Sequence, residues 1–505
     1  MRPVFRQGRG AWARFLRKGF NNGGDTIMTS DVLSLKLPSH AEGIGTVPTK
    51  AVPASPDLPV VIIGAGPAGL AAARALKLRD IPYVQLERHS DLGGIWDIDN
   101  PGSPMYKSAH FISSRDKSGF FDFPMPKHFA DYPTRAQILE YTHSFAEAYG
   151  LRDSIRFSTA VNRATQDAEG VWTIETAGGA IKASALVSAT GVTWDARLPE
   201  VPGHFDGEII HSVDYRDPSR FSGRRVLVVG LGNSGADIAC DAAAHADAAF
   251  ISSRRGYHFV PKHLFGKPAD QTEWLPIWAE RLMYNIMRPL VIGDVTQWGL
   301  QRPDHKLFES HPLINSQLLH YLQHGDIYAK PGIARLDGNG VVFTDGSREE
   351  VDLIVFATGY DWSMPYLPEG YVPWKSGRPQ LYLNAFATTR PGLFGVSFIE
   401  VNSSAYTLFD HIANLIAQHL SDVRTNPTRA AEFRRLAATH KPDLTGGIRF
   451  VGSERHAAYV EVRAYRKVLA RVASKLGWQT LIPGMFNALR ARVQGVVKVG
   501  AGDVK

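Results

Sequence analysis

The chain has 505 residues, 44% hydrophobic and 21% charged, ordinary globular usage that excludes fibrous and wholly disordered classes and allows about three domains. Its single cysteine, Cys240, excludes an intrachain disulfide, a Cys-X-X-Cys redox pair and a cysteine-built zinc site. The net charge of +7 is concentrated in residues 1–27, where Arg2, Arg6, Arg9, Arg14, Arg17 and Lys18 face Asp25 alone. The remainder is close to balanced, so no nucleic-acid partner is expected.

Residues 1–57 read as a basic leader and a Pro/Ser/Ala/Gly-rich linker, expected to be disordered. A transit peptide is the alternative for 1–27, and Met28 opens a more usual beginning. No stretch is apolar and long enough to span a bilayer, and a cytoplasmic location is expected. Order starts near Pro59. Val60-Val61-Ile62-Ile63 is a fully apolar run suited to a buried parallel strand. Gly64-Ala-Gly66-Pro-Ala-Gly69 follows, then an Ala/Leu-rich helix over 68–78 and a strand at 83–86 that ends in Glu87. That is the spacing of a βαβ dinucleotide fingerprint.

The pattern then repeats. Arg225–Val229 is a strand, Gly230-Leu-Gly232-Asn233-Ser234-Gly235 a turn, 236–244 a small-residue helix and Phe250-Ile251 the next strand. Each fingerprint is followed by a hairpin (Val171–Thr176 with a turn at Gly178-Gly179; Val341–Thr344 with a turn at Asp345-Gly346) and by a strand ending in Ala-Thr-Gly. Gly64 to Gly191 is 127 residues and Gly230 to Gly359 is 129. The repeat implies an α/β protein with two Rossmann-like dinucleotide-binding domains, the second inserted in the first. The expected boundaries are 58–195 and 360–480 for one domain, 196–359 for the other, and 481–505 as a C-terminal tail.

In each turn the first glycine permits the bend, the second lets backbone approach a pyrophosphate, and the third lets helix pack on sheet. The N-terminus of the helix that follows the turn offers unpaired N–H groups and a positive dipole end to the phosphates. Glu87 is placed to accept hydrogen bonds from a ribose diol, which makes Gly64, Gly66, Gly69 and Glu87 a candidate FAD site. At the corresponding place in the second unit stands Arg254, followed by Arg255, and a guanidinium suits a 2′-phosphate. The second site, Gly230, Gly232, Asn233, Ser234, Gly235, Arg254 and Arg255, is therefore read as binding NADPH. A solvated basic turn is the alternative for the two arginines.

Phe205-Asp-Gly207-Glu-Ile-Ile-His211-Ser-Val-Asp-Tyr215-Arg216 fits FxGxxxHxxx(Y/F)(K/R) and stands between the two glycine turns. With Gly93-Gly94-Ile-Trp96, Asn233-Ser234-Gly235-Ala-Asp237 and Phe356-Ala-Thr-Gly-Tyr360, the chain resembles the flavin-containing monooxygenases over roughly 58–480. The resemblance implies the glutathione-reductase-like two-domain arrangement of flavoproteins. It adds Gly94 and Trp96 to the FAD site and gives Phe205, Gly207, His211 and Tyr215 a domain-positioning role, with no catalytic proton on His211. Type I Baeyer–Villiger enzymes share the layout but carry Trp at the position of Tyr215 and Pro or Asp at that of Arg216.

The implied activity is reduction of FAD by NADPH, formation of a C4a-hydroperoxyflavin with O2, and oxygen transfer to a soft nitrogen or sulfur atom of a small organic substrate. The segment Tyr106–Pro126 aligns with the family's flavin edge, where many members have an Asn at the position of Ile112. Isoleucine offers no hydrogen bond. It is either an apolar wall of the substrate channel or a cause of uncoupling, and Ser113 and His110 are the candidate substitutes. An uncoupled NADPH oxidase, Baeyer–Villiger oxygenation of a ketone and a flavoprotein without turnover are the alternative functions, and a homodimer is possible. The substrate pocket is expected among 106–126, 259–312 and 398–412. There Trp274, Trp278, Tyr284 and Trp298 are either substrate-facing or core.

Overall fold

The computed structural model describes residues 57–272, 275–452 and 457–500. The leader over 1–56 and Trp274 lie outside the described residues.

Two five-stranded sheets, parallel throughout, organise the molecule. The first has the order Leu393–Gly395, Ala185–Ser188, Val60–Ile63, Tyr83–Leu86, Ile155–Arg156. The second has the order Glu208–His211, Leu353–Phe356, Arg225–Val229, Ala248–Ser252, Ile327–Lys330. Four positions correspond one to one between the sheets. The fifth does not. The first sheet is completed by a strand from late in the chain, and the second by the strand that carries the FxGxxxH sequence.

Strands buried on both faces must be apolar on both faces, which is why VVII, RVLVV and LIVF are continuous runs. Alternate residues feed separate cores. Val60 and Ile62 join one cluster while Val61 and Ile63 join another. Val226 and Val228 likewise lie opposite Leu227. Helix Pro67–Leu78 buries ten of its twelve residues, half of them alanine, because it is held between the first sheet and helix Tyr406–Thr425. The hairpins expected after each fingerprint are present, as Trp172–Thr176 with Gly179–Ala183 and as Gly340–Phe343 with Arg348–Glu350.

Two regions differ from their reading as sequence. Residues 487–500, expected to be part of a tail, form a helix, and Phe486 and Leu489 at its start are buried against the first core. The insert 259–312 contains helix Ile277–Val291, on which Trp278, Leu282, Ile286 and Leu290 are all more than half exposed. Trp278 is therefore not core, whereas Tyr284 is buried with its hydroxyl donating to the Ala269 carbonyl at 2.8 Å. Trp298 packs half-buried against the core of the second sheet.

Candidate cofactor sites

Both glycine turns sit where a strand passes into a helix at the carboxyl edge of its sheet, the usual ligand position in open α/β sheets. Gly64 and Gly230 have φ of +104° and +115°. A Cβ on them would come within 2.5 Å and 2.4 Å of the Ala189 and Ala357 carbonyl oxygens. Gly69 and Gly235 are tighter still, at 2.0 Å and 1.9 Å from the Gly64 and Gly230 oxygens. These four glycines serve the bend and the close helix–strand packing.

The middle glycines behave differently. Gly66 faces Gly94, and a Cβ on it would lie 3.4 Å from the Gly94 Cα. Around a Cβ on Gly232 there is nothing within 4 Å. Gly66 and Gly232 are the N-caps of helices Pro67–Leu78 and Asn233–His245, and neither helix has a side-chain cap. The first-turn N–H groups of helix Asn233–His245 thus open on free space at the positive end of a helix dipole, those of helix Pro67–Leu78 lie opposite Gly94, and each end is a candidate anion site.

Glu87 is 5% exposed. Its Oε2 accepts the Ala65 N–H at 2.6 Å and its Oε1 the His89 N–H at 3.0 Å. Burial raises its pKa, with those two N–H groups opposing the rise. Each oxygen keeps a lone pair for a ligand hydroxyl. Gly94 and Trp96 form a short 3-10 turn against Gly66, and the Trp96 ring packs 5.2 Å from Phe111.

In the second unit the exposed Arg254 guanidinium has no hydrogen bond or ion pair among the described residues. Arg255 instead donates to Asp304 at 2.6 Å. The structure separates the two arginines, which the sequence did not distinguish.

Several residues of the FxGxxxH stretch are engaged in packing and hydrogen bonds. Phe205 is buried, and Gly207 leaves room for the Asp352 carbonyl, 2.6 Å from where a Cβ would stand. His211 ends an edge strand, accepts the Val213 N–H at Nδ1 (3.1 Å) and meets Tyr360 edge-on. Burial lowers its pKa. Tyr215 is fully buried, stacked on Phe221, and donates to Asp241 at 2.8 Å.

The 106–126 segment runs from the second unit to the first. Tyr106 donates to Asp237 at 2.9 Å and Ser108 to Asp241 at 2.5 Å, both on helix Asn233–His245. Further along, the Ser114 N–H donates to Asp270 and the Phe121 N–H to Asp410. Ile112 is 39% exposed, Ser113 is buried and His110 bonds the Ser108 carbonyl. This segment, Tyr406 and the insert do meet: Phe111 and Phe120 pack on Tyr406, and the Ser114 N–H donates to Asp270 of the insert. A cavity of about 270 Å³ lies between Arg115, Phe120, Asp122 and Thr407. Sequence reasoning passed over Asp241, Asp270, Arg74 and Asp410, and assigned Asp237 no role. The signal available was two acids four apart in an otherwise Ala-rich helix.

Residues 58–462 match the family model described as flavin-binding monooxygenase-like. The chain is 30% identical over 407 residues to a probable indole-3-pyruvate monooxygenase, YUCCA9, of Arabidopsis thaliana, covering 74% of this chain and 91% of that protein. It is 29% identical over 480 residues to flavin-containing monooxygenase 5 of Oryctolagus cuniculus, covering 86% and 89%. In fold it is similar to an oxidized steroid monooxygenase bound to NADP, with TM-score 0.60 and 21% identity over 84% of this chain and 98% of that one. The chain belongs to the flavin-binding monooxygenase-like family.

Proposed function

We propose that FAD lies at the turn of Gly64, Gly66 and Gly69 with its ribose on Glu87, and NADPH at the turn of Gly230, Gly232 and Gly235 with its 2′-phosphate on Arg254. On this reading 58–195 and 360–480 make the Rossmann-like FAD domain and 196–359 the inserted Rossmann-like NADPH domain. The observation that carries it is the pair of uncapped helix N-termini, one beside a buried carboxylate and the other beside an unpaired guanidinium. A diol needs acceptors and a phosphate needs donors, so the two sites differ where their ligands differ.

When bound, the cofactors supply the redox chemistry: hydride from NADPH reduces the flavin, which activates O2, so that one oxygen enters the substrate and the other leaves as water. The chain's own residues bind, orient and exclude solvent. The N–H groups of the two helix ends hold the pyrophosphates. The 106–126 segment covers the flavin edge, with Trp96, Phe111 and Tyr406 as an apolar wall. The acceptor is a soft nitrogen or sulfur atom, a choice supported by Tyr215-Arg216 in the FxGxxxH stretch.

NADPH should bleach the yellow protein without oxygen, and aerobic turnover with a thioether or tertiary amine should form one oxide per NADPH. A lactone or ester from a ketone, with no oxide, would make the enzyme a Baeyer–Villiger type instead. The apolar Ile112 favours one second reading, an NADPH oxidase, whose mark is hydrogen peroxide equal to the NADPH consumed even with substrate present.

A further inference from the structure

The 106–126 segment is fastened at both ends to charged side chains on helices that begin at the two glycine turns or pack against them. At the far end Arg74, on helix Pro67–Leu78, donates to the Phe121 carbonyl at 2.9 Å, and Asp410 accepts the Phe121 N–H at 2.7 Å. At the near end the acceptors are Asp237 and Asp241, one turn apart on helix Asn233–His245. Asp237 also takes the Asn315 amide at 2.8 Å, and Asp241 also takes the Tyr215 hydroxyl. The Lys107 N–H donates to the Arg216 carbonyl at 2.8 Å. Tyr106 is 4% exposed, and burial beside Asp237 keeps its phenol protonated, so it remains a donor. Lys262 and His110 face Asp237.

The first turn of that same helix is the uncapped glycine end. A ligand anion there and the two hydroxyls of the flavin-edge segment are therefore held by a single helix, Asp237 and Asp241 lying about one and two turns from its uncapped end. Ordering one end of a rigid helix restrains whatever is hydrogen-bonded to the next turn, and such a coupling is reciprocal.

We propose that Asp237 and Asp241 are positioning residues that link nucleotide bound at the second glycine turn to the placement of the flavin-edge segment through Tyr106 and Ser108. The proposal rests on the assignment of NADPH to that turn. Its consequence is that bound nucleotide steadies residues 105–112, and that cutting the two hydroxyl bonds leaves nucleotide binding in place but loosens the segment.

Hydrogen–deuterium exchange on the flavin-loaded protein, with and without NADP+, tests it. In the parent protein NADP+ slows exchange over both 230–240 and 105–112. In Tyr106→Phe/Ser108→Ala it slows exchange over 230–240 only, and peroxide released per NADPH rises severalfold. Ser108→Ala alone removes one hydroxyl from a half-buried site, so it serves if the double variant folds poorly. Ser108→Thr, which keeps the hydroxyl, restores the response. Equal protection of 105–112 in parent and variants overturns the proposal, as does protection of 230–240 without any change at 105–112 in the parent. Absence of protection at 230–240 in the parent overturns the cofactor assignment itself, so the two failures are told apart.

Discussion

Gly232 and Gly235 stand three residues apart in one turn and answer to different constraints. A methyl on Gly235 would press into the Gly230 carbonyl oxygen, whereas one on Gly232 meets nothing. Gly235→Ala should therefore unfold or distort the second unit. Gly232→Ala should melt at the parent temperature yet bind NADPH at least about tenfold more weakly, roughly 1.4 kcal/mol. Melting curves alongside a binding titration separate the two effects. Arg254→Ala removes an exposed guanidinium with no partner among the described residues, so stability should hold while NADPH weakens by about ten- to a hundredfold, the worth of a charged hydrogen bond. NADH should be unaffected. Arg255→Ala should alter the preference much less, since Asp304 already engages that side chain. Equal weakening of NADPH and NADH by Arg254→Ala would show that Arg254 reads no phosphate.

Helices Pro67–Leu78 and Tyr406–Thr425 are joined by an ion pair, Arg74 to Asp410 at 2.6 Å, with side-chain exposures of 0% and 1%. The Arg74 guanidinium also lies 3.7 Å from the Phe486 ring centroid. A buried pair adds little net stability against an apolar replacement, but breaking it leaves one charge stranded. Asp410→Ala should thus cost about 3–5 kcal/mol in denaturant titrations and free the Phe121 N–H at the flavin edge. The opposite holds on helix Ile277–Val291. Its bare stripe of Trp278, Leu282, Ile286 and Leu290 makes little contact with the protein, and Leu290 is 77% exposed. Leu290→Lys should change folding stability by no more than about 0.5 kcal/mol. A much larger loss in the same titration would mean that the stripe is covered.

Across the whole molecule, acid stability should depend on histidines buried without charge. His419 sits among Phe386, Phe394, Phe433 and Trp478, and burial pushes its pKa down to about 3. The unfolded chain takes up a proton near pH 6.5, but the folded protein does not until far lower. The stabilising contribution is therefore complete above about pH 6.5 and is lost as pH falls towards 3. Between pH 7 and 5 it amounts to about 2 kcal/mol for this residue. His411, pushed down to about 4 by burial, acts in the same direction. His419→Phe should flatten the fall in melting temperature over that interval, and an unchanged slope would exclude His419 as its source.

The sequence by itself determined the repeated unit, because apolar strands, glycine turns and the Glu87/Arg254 contrast are local patterns with fixed spacing. Parallel strands need continuous apolar runs, and tight turns need glycine, so both leave marks within a dozen residues. Family kinship was legible for the same reason, through the short stretches around Phe205–Arg216 and Gly93–Trp96. Only the tertiary structure decided which side chains from distant parts meet. It paired Asp237 and Asp241 with Tyr106 and Ser108. It gave Arg255 to Asp304 while leaving Arg254 without a partner among the described residues, and it joined Arg74 to Asp410 across 336 residues. It turned residues 487–500 into a helix with Leu489 packed at its start, and left the insert's apolar stripe exposed. Hydrogen-bond and ion-pair partners depend on loop paths and helix placement. Those follow from the sum of packing over the whole chain, and no local window of sequence contains that sum.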